Sequence, residues 1–193
     1  MIKRLIDIIL SLIALAVLAI PMLVIAVVIR ATSRGAAVFK QQRVGLRGRL
    51  FTMLKFRTMR SDADPYGRSP QSGEDPRLTR VGKFLRTTSL DELPQLLNVL
   101  AGQMSLVGPR PLYQVQAEKW NARQRRRLDV RPGLTGYAQV YGRGNITHEE
   151  KIELDVYYVE NRSLAMDLKL IILTLWQTVA SRSDIYEREG HGG

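Results

Sequence analysis

The chain has no cysteine, only two histidines and few aromatic residues. The absence of cysteine excludes disulfides, thiolate nucleophiles and zinc–thiolate sites. His148 and His191 are too few for a multi-histidine metal centre, so carboxylates are the expected catalytic bases. Aromatic residues make up 7% of the chain, which leaves few side chains to stack on nucleic-acid bases.

The length and the charge narrow the choice of partners. The 193 residues suit one domain of ordinary size together with an anchor. Lys and Arg number 29 against 18 Asp and Glu, for a formal net charge of +11. Such an excess indicates a polyanionic partner, which can be nucleic acid, anionic lipid headgroups or a phosphorylated substrate. Composition alone leaves all three open.

The N-terminal segment is apolar enough to enter a membrane. No charged residue lies between Ile8 and Ile29, and a helix of about 20 residues crosses a hydrocarbon core. Pro21 removes a helical hydrogen bond and predicts a kink. Basic residues flank both ends, which favours the cytoplasmic side for each end. We therefore predict a re-entrant, monotopic anchor over residues 1–34, with a single span as the alternative.

Periodicity and turn residues predict the elements after the anchor. Strands Val38–Val44 and Leu50–Arg57 form a hairpin around the turn Gly45–Arg49. A loop rich in Asp, Pro, Ser and Gly follows at Met59–Arg77. Helices are predicted at Gly82–Arg86, Leu93–Leu100, Tyr113–Leu128, Thr147–Asn161 and Ser163–Ser181. Prolines and glycines predict loops at 108–111 and 131–136.

The fold class is therefore mixed α/β. We expect a kinked N-terminal re-entrant membrane helix, a small β-hairpin or sheet, and several amphipathic interfacial helices. Residues 35–187 form the cytosolic domain and residues 188–193 a disordered tail. The apolar face of the Ser163–Ser181 helix can form core, lie on the membrane or meet a partner subunit, which leaves a homo-oligomer open.

The adjacent carboxylates Asp91 and Glu92 lie where a helix is predicted to begin. Ser89 and Glu92 have capping-box spacing, but with Ser89 as N-cap Pro94 would cost one intrahelical hydrogen bond. With Asp91 as N-cap, Pro94 falls at the third helical position, where its missing N–H costs little, so we prefer this start. Helix capping alone is enough to explain two carboxylates at the start of a helix. The alternative is a functional site, because backbone N–H groups and the positive helix end favour bound anions there.

Basic residues surround this pair in the sequence. Lys55 and Arg57 share one face of the second strand. Arg110 lies between two prolines, so its guanidinium is presented from a stiff loop, and arginine binds phosphate oxygens in a bidentate fork. The further basic residues before the pair are Arg77, Arg80, Lys83 and Arg86. Each one alone fits a solvated surface, but together they predict a diphosphate–metal site in which carboxylates hold Mg²⁺.

Two other features remain open at this point. The basic run Arg123–Arg127 can contact nucleic acid, but headgroup binding is the simpler account for an anchored protein. Asp155, next to Tyr157 and Tyr158 along the chain, is equally compatible with a site role and with a solvated helix position.

Seven motifs, in one order, resemble those of the bacterial sugar transferases, the small monotopic phosphoglycosyl transferases. The resemblance runs from the anchor to about Trp176, nearly the whole chain. The motifs are Lys55-Phe-Arg-Thr-Met59, Arg77-Leu-Thr79, Gly82-Lys-Phe-Leu-Arg86, Thr88-Ser-Leu-Asp-Glu-Leu-Pro-Gln-Leu96, Met104-Ser-Leu-Val-Gly-Pro-Arg-Pro111, Val130-Arg-Pro-Gly-Leu-Thr-Gly136 and Glu153-Leu-Asp-Val-Tyr-Tyr158.

The resemblance implies a reaction. Such enzymes move sugar-1-phosphate from a UDP-sugar to polyprenol (undecaprenyl) phosphate and release UMP, the first membrane step of surface polysaccharide or glycoconjugate biosynthesis. The position of Asp91 implies the nucleophile that carries a covalent phosphosugar, and Glu92 completes the dyad with Mg²⁺ as cofactor. Arg110 is implied at the nucleotide phosphates and Arg86 near the lipid phosphate. Lys55, Arg57 and Asp155 are implied as further pocket residues.

The resemblance also implies a place in the cell. The catalytic domain is expected on the cytoplasmic face of the bacterial inner membrane, with membrane lipids as partners and no nucleic acid. Where family members often carry Ser-Pro at the re-entrant bend, this chain has Ile20-Pro21. No further N-terminal membrane region precedes the anchor, so we expect a minimal catalytic form. Two alternatives are a membrane-tethered nucleic-acid-binding protein and a non-catalytic scaffold. No residue indicates which sugar is transferred.

Overall fold

A computed structural model describes residues 1–64, 67, 70, 72–142 and 146–180. It begins with one long helix, α1, over Ile2–Thr32. Its 31 residues correspond to a length of about 46 Å, well over the thickness of a hydrocarbon core. Within the described ranges it is the one helix long and apolar enough to cross a membrane. The helix continues through Pro21, so a re-entrant bend remains a prediction.

Helix α1 has two unlike faces. Three residues at helical spacing, Asp7, Ser11 and Ile29, are buried against the rest of the protein. The other face exposes large apolar side chains at Leu5, Ile9, Leu12, Ile13, Val17, Ile20, Leu23, Val24 and Val27. Such a surface is stable only against lipid or another apolar surface.

A β-hairpin follows the anchor, as predicted. Strand β1 covers Val38–Val44 and strand β2 covers Leu50–Phe56, one residue shorter than predicted. The strands are antiparallel, and a 3₁₀ turn at Leu46–Gly48 joins them. Phe51 and Met53 are buried on one face of β2, which by alternation is also the face of Lys55. Phe56 lies on the opposite face and packs in a separate cluster with Ile29 and Leu85.

The segment with the carboxylate pair lies between two short helices. Helix α2 spans Arg80–Thr87, and the Thr79 hydroxyl caps it by accepting from the Gly82 amide at 2.8 Å. A 3₁₀ turn at Leu90–Glu92 comes next, and helix α3 covers Gln95–Leu100.

The predicted N-cap role of Asp91 is therefore wrong. Ser89 takes a left-handed conformation with φ of 56° and reverses the chain, which places Asp91 inside the 3₁₀ turn. Pro94 then occupies the position before the first residue of α3, where it needs no amide hydrogen.

A second small sheet was not predicted. Strand β3, Ser105–Val107, pairs in parallel with strand β4, Gly133–Thr135. Strand β4 lies inside the segment 131–136, which was predicted to be a loop. The Gly108 amide donates to the Thr135 carbonyl and the Gly133 amide to the Pro109 carbonyl, each at 2.9 Å. A Cβ atom on Gly108 or Gly133 would collide with the facing backbone, so the glycines permit the pairing.

The predicted helix Tyr113–Leu128 is wrong as one element. It divides into α4 at Gln114–Ala117, α5 at Ala122–Arg125 and a 3₁₀ turn at Arg126–Asp129. Trp120 is buried between α4 and α5, and Asn121 caps α5 through the Gln124 amide. A buried aromatic followed at once by a cap ends one helix and begins another.

The last described elements are helices α6, α7 and α8. Helix α6 covers Tyr137–Tyr141, and α7 covers His148–Asn161 with the predicted capping box at Thr147. Helix α8 covers Leu164–Ala180, while Ser181 and the predicted tail 188–193 lie outside the described residues. Tyr158 and Leu170 pack on Val107 to form one core cluster. Helix α8 exposes the apolar side chains Leu168, Ile172, Leu175 and Trp176.

Candidate active site

The carboxylate pair meets two cations from distant parts of the chain. The Glu92 Oε1 accepts from the Lys55 Nζ at 2.7 Å and from an Arg110 guanidinium nitrogen at 3.1 Å. Lys55 comes from the face of β2 that also carries Met53, and Arg110 comes from the loop after β3. The structure therefore brings together four of the predicted site residues, Lys55, Asp91, Glu92 and Arg110.

The two carboxylates have opposite electrostatic environments. Burial opposes ionisation of Glu92, but Lys55 and Arg110 outweigh it and lower its pKa to about 2. Burial raises the pKa of Asp91 to about 6, against the opposing effect of Lys55. Asp91 is only 8% exposed, and its carboxylate accepts no hydrogen bond from the described residues. Within the described part of the chain, two cations thus bond to Glu92, whereas no side chain bonds to the Asp91 carboxylate.

Arg127 and its partner Asp155 stabilise the loop that carries Arg110. The Arg127 guanidinium donates to the Arg110 carbonyl at 2.8 Å and forms a buried ion pair with Asp155. Burial raises the pKa of Asp155 to about 6 and lowers the pKa of Arg127, although each partner stabilises the charge of the other. Asp155 therefore supports the Arg110 loop through Arg127, and its direct contact with a substrate remains a prediction.

The other predicted basic residues lie around this centre. Arg86, in the last turn of α2, is near enough to favour ionised Asp91 and so to oppose the rise in its pKa. Arg57 points elsewhere: its guanidinium donates to the Ser33 hydroxyl at 2.7 Å and to the Arg34 carbonyl at 2.6 Å. Arg57 thus fastens β2 to the end of α1, and a substrate contact for it stays a prediction.

Sequence reasoning missed two residues of the same cleft. Arg43 and Gln95 lie beside Lys55, Glu92 and Arg110 in one small cavity. Burial lowers the pKa of Arg43 to about 10, so it stays charged at neutral pH. Its guanidinium carbon lies 3.5 Å from the centre of the Tyr113 ring, a cation–π contact. The Gln95 Nε2 is buried and has no hydrogen-bond partner among the residues that the structure describes.

Only part of this could have been found from the sequence. Gln95 stands four residues after Asp91 in the motif already singled out, and that spacing was a usable signal. Nothing in the local sequence marks Arg43, because its place in the cleft depends on how the hairpin meets the Arg110 loop.

The carboxylate pair can contribute to a magnesium site without completing one. Among the described residues, no group of three or more His, Asp or Glu side chains could hold a metal ion. Mg²⁺ in phosphoryl-transfer sites is commonly held by one or two carboxylates together with water and substrate phosphates. Asp91 fits that arrangement, because its carboxylate is buried beside Glu92 and accepts no hydrogen bond from the described residues.

The basic run Arg123–Arg127 is engaged within the protein. Arg123 and Arg126 pair with Glu160, and Arg123 also pairs with Glu153. Arg127 is the buried partner of Asp155. Arg125 donates to the backbone carbonyls of Trp120 and Glu118, and the pairs of Arg123 and Arg126 are exposed surface contacts. Headgroup contact by this run therefore stays a prediction.

Comparison with known proteins agrees with the motifs. The model of the bacterial sugar transferase family matches residues 1–181. An uncharacterized sugar transferase, EpsL, of Bacillus subtilis is 44% identical over 179 residues, which is 93% of this chain and 88% of the relative. A UDP-glucose:undecaprenyl-phosphate glucose-1-phosphate transferase of Klebsiella pneumoniae is 41% identical over 189 residues, which is 94% of this chain and 41% of the relative.

A third relative is the galactosyl transferase CpsE of Streptococcus agalactiae. It is 48% identical over 153 residues, which is 73% of this chain and 34% of the relative. The chain thus spans most of the Bacillus protein but less than half of the two named transferases. The family match covers both the anchor helix and the charged cleft, and the chain belongs to the bacterial sugar transferase family.

Proposed function

We propose that this chain transfers sugar-1-phosphate from a UDP-sugar to polyprenol phosphate and releases UMP. The observation that supports this proposal most directly is the cleft in which the Asp91–Glu92 pair lies against Lys55 and Arg110. Its positive groups match a nucleoside diphosphate, and the Klebsiella relative is named as a transferase of this class.

The reaction proceeds in two displacements. An Asp91 oxygen attacks the phosphorus that bears the sugar, the bond to the UMP oxygen breaks, and UMP leaves with the electron pair. An oxygen of the polyprenol phosphate then attacks the same phosphorus and displaces the Asp91 carboxylate. The covalent step lets UMP leave before the lipid is bound. Asp91 suits this role because its carboxylate is not tied up by a hydrogen bond within the described protein.

The cations of the cleft serve binding and charge stabilisation. Lys55 and Arg110 now neutralise Glu92, and the same groups can turn to the diphosphate oxygens when the donor enters. Arg43 adds a third positive charge to the same wall. Asp91 and Glu92 would hold Mg²⁺, which when bound supplies positive charge against the developing negative charge on the phosphates.

The contacts of α1 support a monotopic anchor. At its N-terminal end Lys3 pairs with Asp167 at 2.7 Å, and at its C-terminal end Ile29 packs on Phe56 and Leu85. Both ends therefore contact the same domain. A helix that spans a bilayer would separate its ends by about 30 Å of hydrocarbon. These contacts support an anchor whose two ends stay on one side of the bilayer, and the basic residues that flank it favour the cytoplasmic side. Because α1 is continuous through Pro21, a re-entrant bend in the membrane is itself part of the proposal.

The test is UMP release from a panel of UDP-sugars in nanodiscs, with and without polyprenol phosphate and with Mg²⁺ or a chelator. We expect stoichiometric UMP without lipid, turnover with it, and neither after chelation. The donor that turns over names the sugar. No UMP from any donor with lipid and metal present would contradict the proposal and favour the scaffold alternative.

A further inference from the structure

A buried carboxylate in the apolar anchor helix bonds directly to the catalytic domain. Asp7 is 4% exposed. Its Oδ1 accepts from the Ser105 hydroxyl at 3.1 Å and from the Leu106 amide at 3.0 Å. Both donors belong to β3. A carboxylate at this place in an apolar helix costs free energy unless its hydrogen bonds are made, so Asp7 serves β3 and not the lipid.

Strand β3 leads directly to the cleft. It ends at Val107, three residues before Arg110. The Gly108 amide and the Pro109 carbonyl both bond to β4, so the loop has little freedom of its own. A shift of β3 therefore moves the Arg110 guanidinium relative to Glu92, which lies 3.1 Å away.

The neighbouring helical turn holds the other side of the cleft. The Arg4 guanidinium donates to the carbonyls of Val99 and Leu100 at 2.6 and 2.9 Å. These carbonyls end α3, which begins three residues after Glu92. The first turns of α1 thus contact both α3, the helix that follows the dyad, and β3, the strand that precedes the Arg110 loop.

We propose that Asp7 is a positioning residue of the active site, which sets Arg110 against the Asp91–Glu92 dyad by fixing β3. This inference rests on the proposed function. It assigns the start of α1 to the catalytic framework in addition to the anchor. The required chemistry is two hydrogen bonds accepted by one oxygen, which an asparagine side chain can also supply.

The test is a double-mutant cycle between position 7 and position 110, measured as kcat/KM for UMP release per folded molecule. We expect Asp7→Leu to lower kcat/KM by about 10- to 100-fold, the range produced by small misplacement of a catalytic group. In the Arg110→Lys background Asp7→Leu should lower kcat/KM by less than about 3-fold, because the guanidinium that Asp7 positions has already been replaced. Asp7→Asn should retain activity.

Two further measurements separate alignment from stability. Amide exchange at Leu106 should accelerate in Asp7→Leu and stay slow in Asp7→Asn. Ser11→Ala, one turn along the same buried face, is the matched control, since the Ser11 hydroxyl has no partner among the described residues. It should leave kcat/KM unchanged. Where Asp7→Leu does not fold, Ser105→Ala takes its place in the cycle with a smaller loss in the same direction.

The possible outcomes distinguish the positioning role of Asp7 from the proposed function. Wild-type activity per folded Asp7→Leu molecule, or an undiminished loss in the Arg110→Lys background, overturns the positioning role. If Asp7→Leu is unfolded, the positioning role is overturned when Ser105→Ala leaves kcat/KM unchanged, or lowers it equally in the wild-type and Arg110→Lys backgrounds. Absence of UMP release from the wild-type protein would instead count against the proposed function, while Leu106 exchange still reports the Asp7 bond.

Discussion

The Nζ of Lys55 lies 2.7 Å from the Oε1 of Glu92, across 37 residues of chain and with 18% of each side chain exposed. This contact joins β2 to the 3₁₀ turn that carries the dyad. Because it is largely shielded from water, the contact is stronger than a surface ion pair. It also keeps Glu92 ionised beside a carboxyl whose pKa is raised.

Removal of the Lys55 charge should weaken donor binding. Lys55→Met leaves Glu92 with Arg110 alone and deletes one cation from the phosphate wall. A hydrogen bond to a charged group contributes about 1.5–3 kcal/mol, so we expect KM for the UDP-sugar to rise by at least about 10-fold. Lys40→Met is the control, because Lys40 is exposed on the neighbouring strand. An equal KM in the two variants would contradict the role of Lys55.

The buried Arg127–Asp155 pair should matter for stability. Asp155→Asn leaves the Arg127 guanidinium buried without its counter-charge, which costs about 3–5 kcal/mol. Denaturant unfolding in detergent measures the change. Glu153→Gln, on the same helix, breaks only the exposed pair with Arg123 and should cost less than about 1 kcal/mol. Similar losses for the two variants would show that Asp155 is not held as described.

Helix α2 should not tolerate a side chain at Gly82. A Cβ there would collide with the Thr58 backbone, which also accepts from the Thr79 amide at 3.0 Å. We expect Gly82→Ala to lower the free energy of unfolding by about 1–3 kcal/mol through overpacking. Lys83→Ala, at an exposed position of the same helix, should change it little. A thermal scan of both variants compares them, and an unaffected Gly82→Ala would disprove the close packing.

The path of α1 can be tested by cysteine labelling, because the chain contains no cysteine. A single cysteine at Ile2 and another at Arg34 mark the two ends of the anchor. The re-entrant path predicts that a membrane-impermeant thiol reagent labels both in inside-out vesicles and neither in intact cells. Labelling of one end from each side would establish a spanning helix.

Local signals predicted the hairpin and α7 well. Turn glycines and a capping box act within a few residues, so the strand limits and the start at Thr147 follow from the sequence alone. The β3–β4 sheet was missed, since its strands have three residues each and pair across 28 positions, at Ser105 and Gly133. Strands this short have no readable alternation.

The site was predicted in composition but only partly in arrangement. Lys55, Glu92 and Arg110 do meet, as their positions in the motifs suggested. Arg57 was expected on the strand face of Lys55 by the period-two pattern, but β2 ends at Phe56 and the Arg57 guanidinium donates to Ser33 at the end of α1. Asp155 lies behind the cleft because Arg127 comes between. Such differences depend on tertiary packing, which residue spacing does not encode.

The measurement that tests the central claim most directly is the intact mass of the protein after incubation with UDP-sugar and Mg²⁺ in the absence of polyprenol phosphate. The account predicts a gain of one sugar-1-phosphoryl group, located on Asp91, that disappears when the lipid phosphate is added. Asp91→Asn should show no gain. An unmodified wild-type protein that still turns over with lipid present, or full turnover by Asp91→Asn, would contradict a covalent mechanism at this residue.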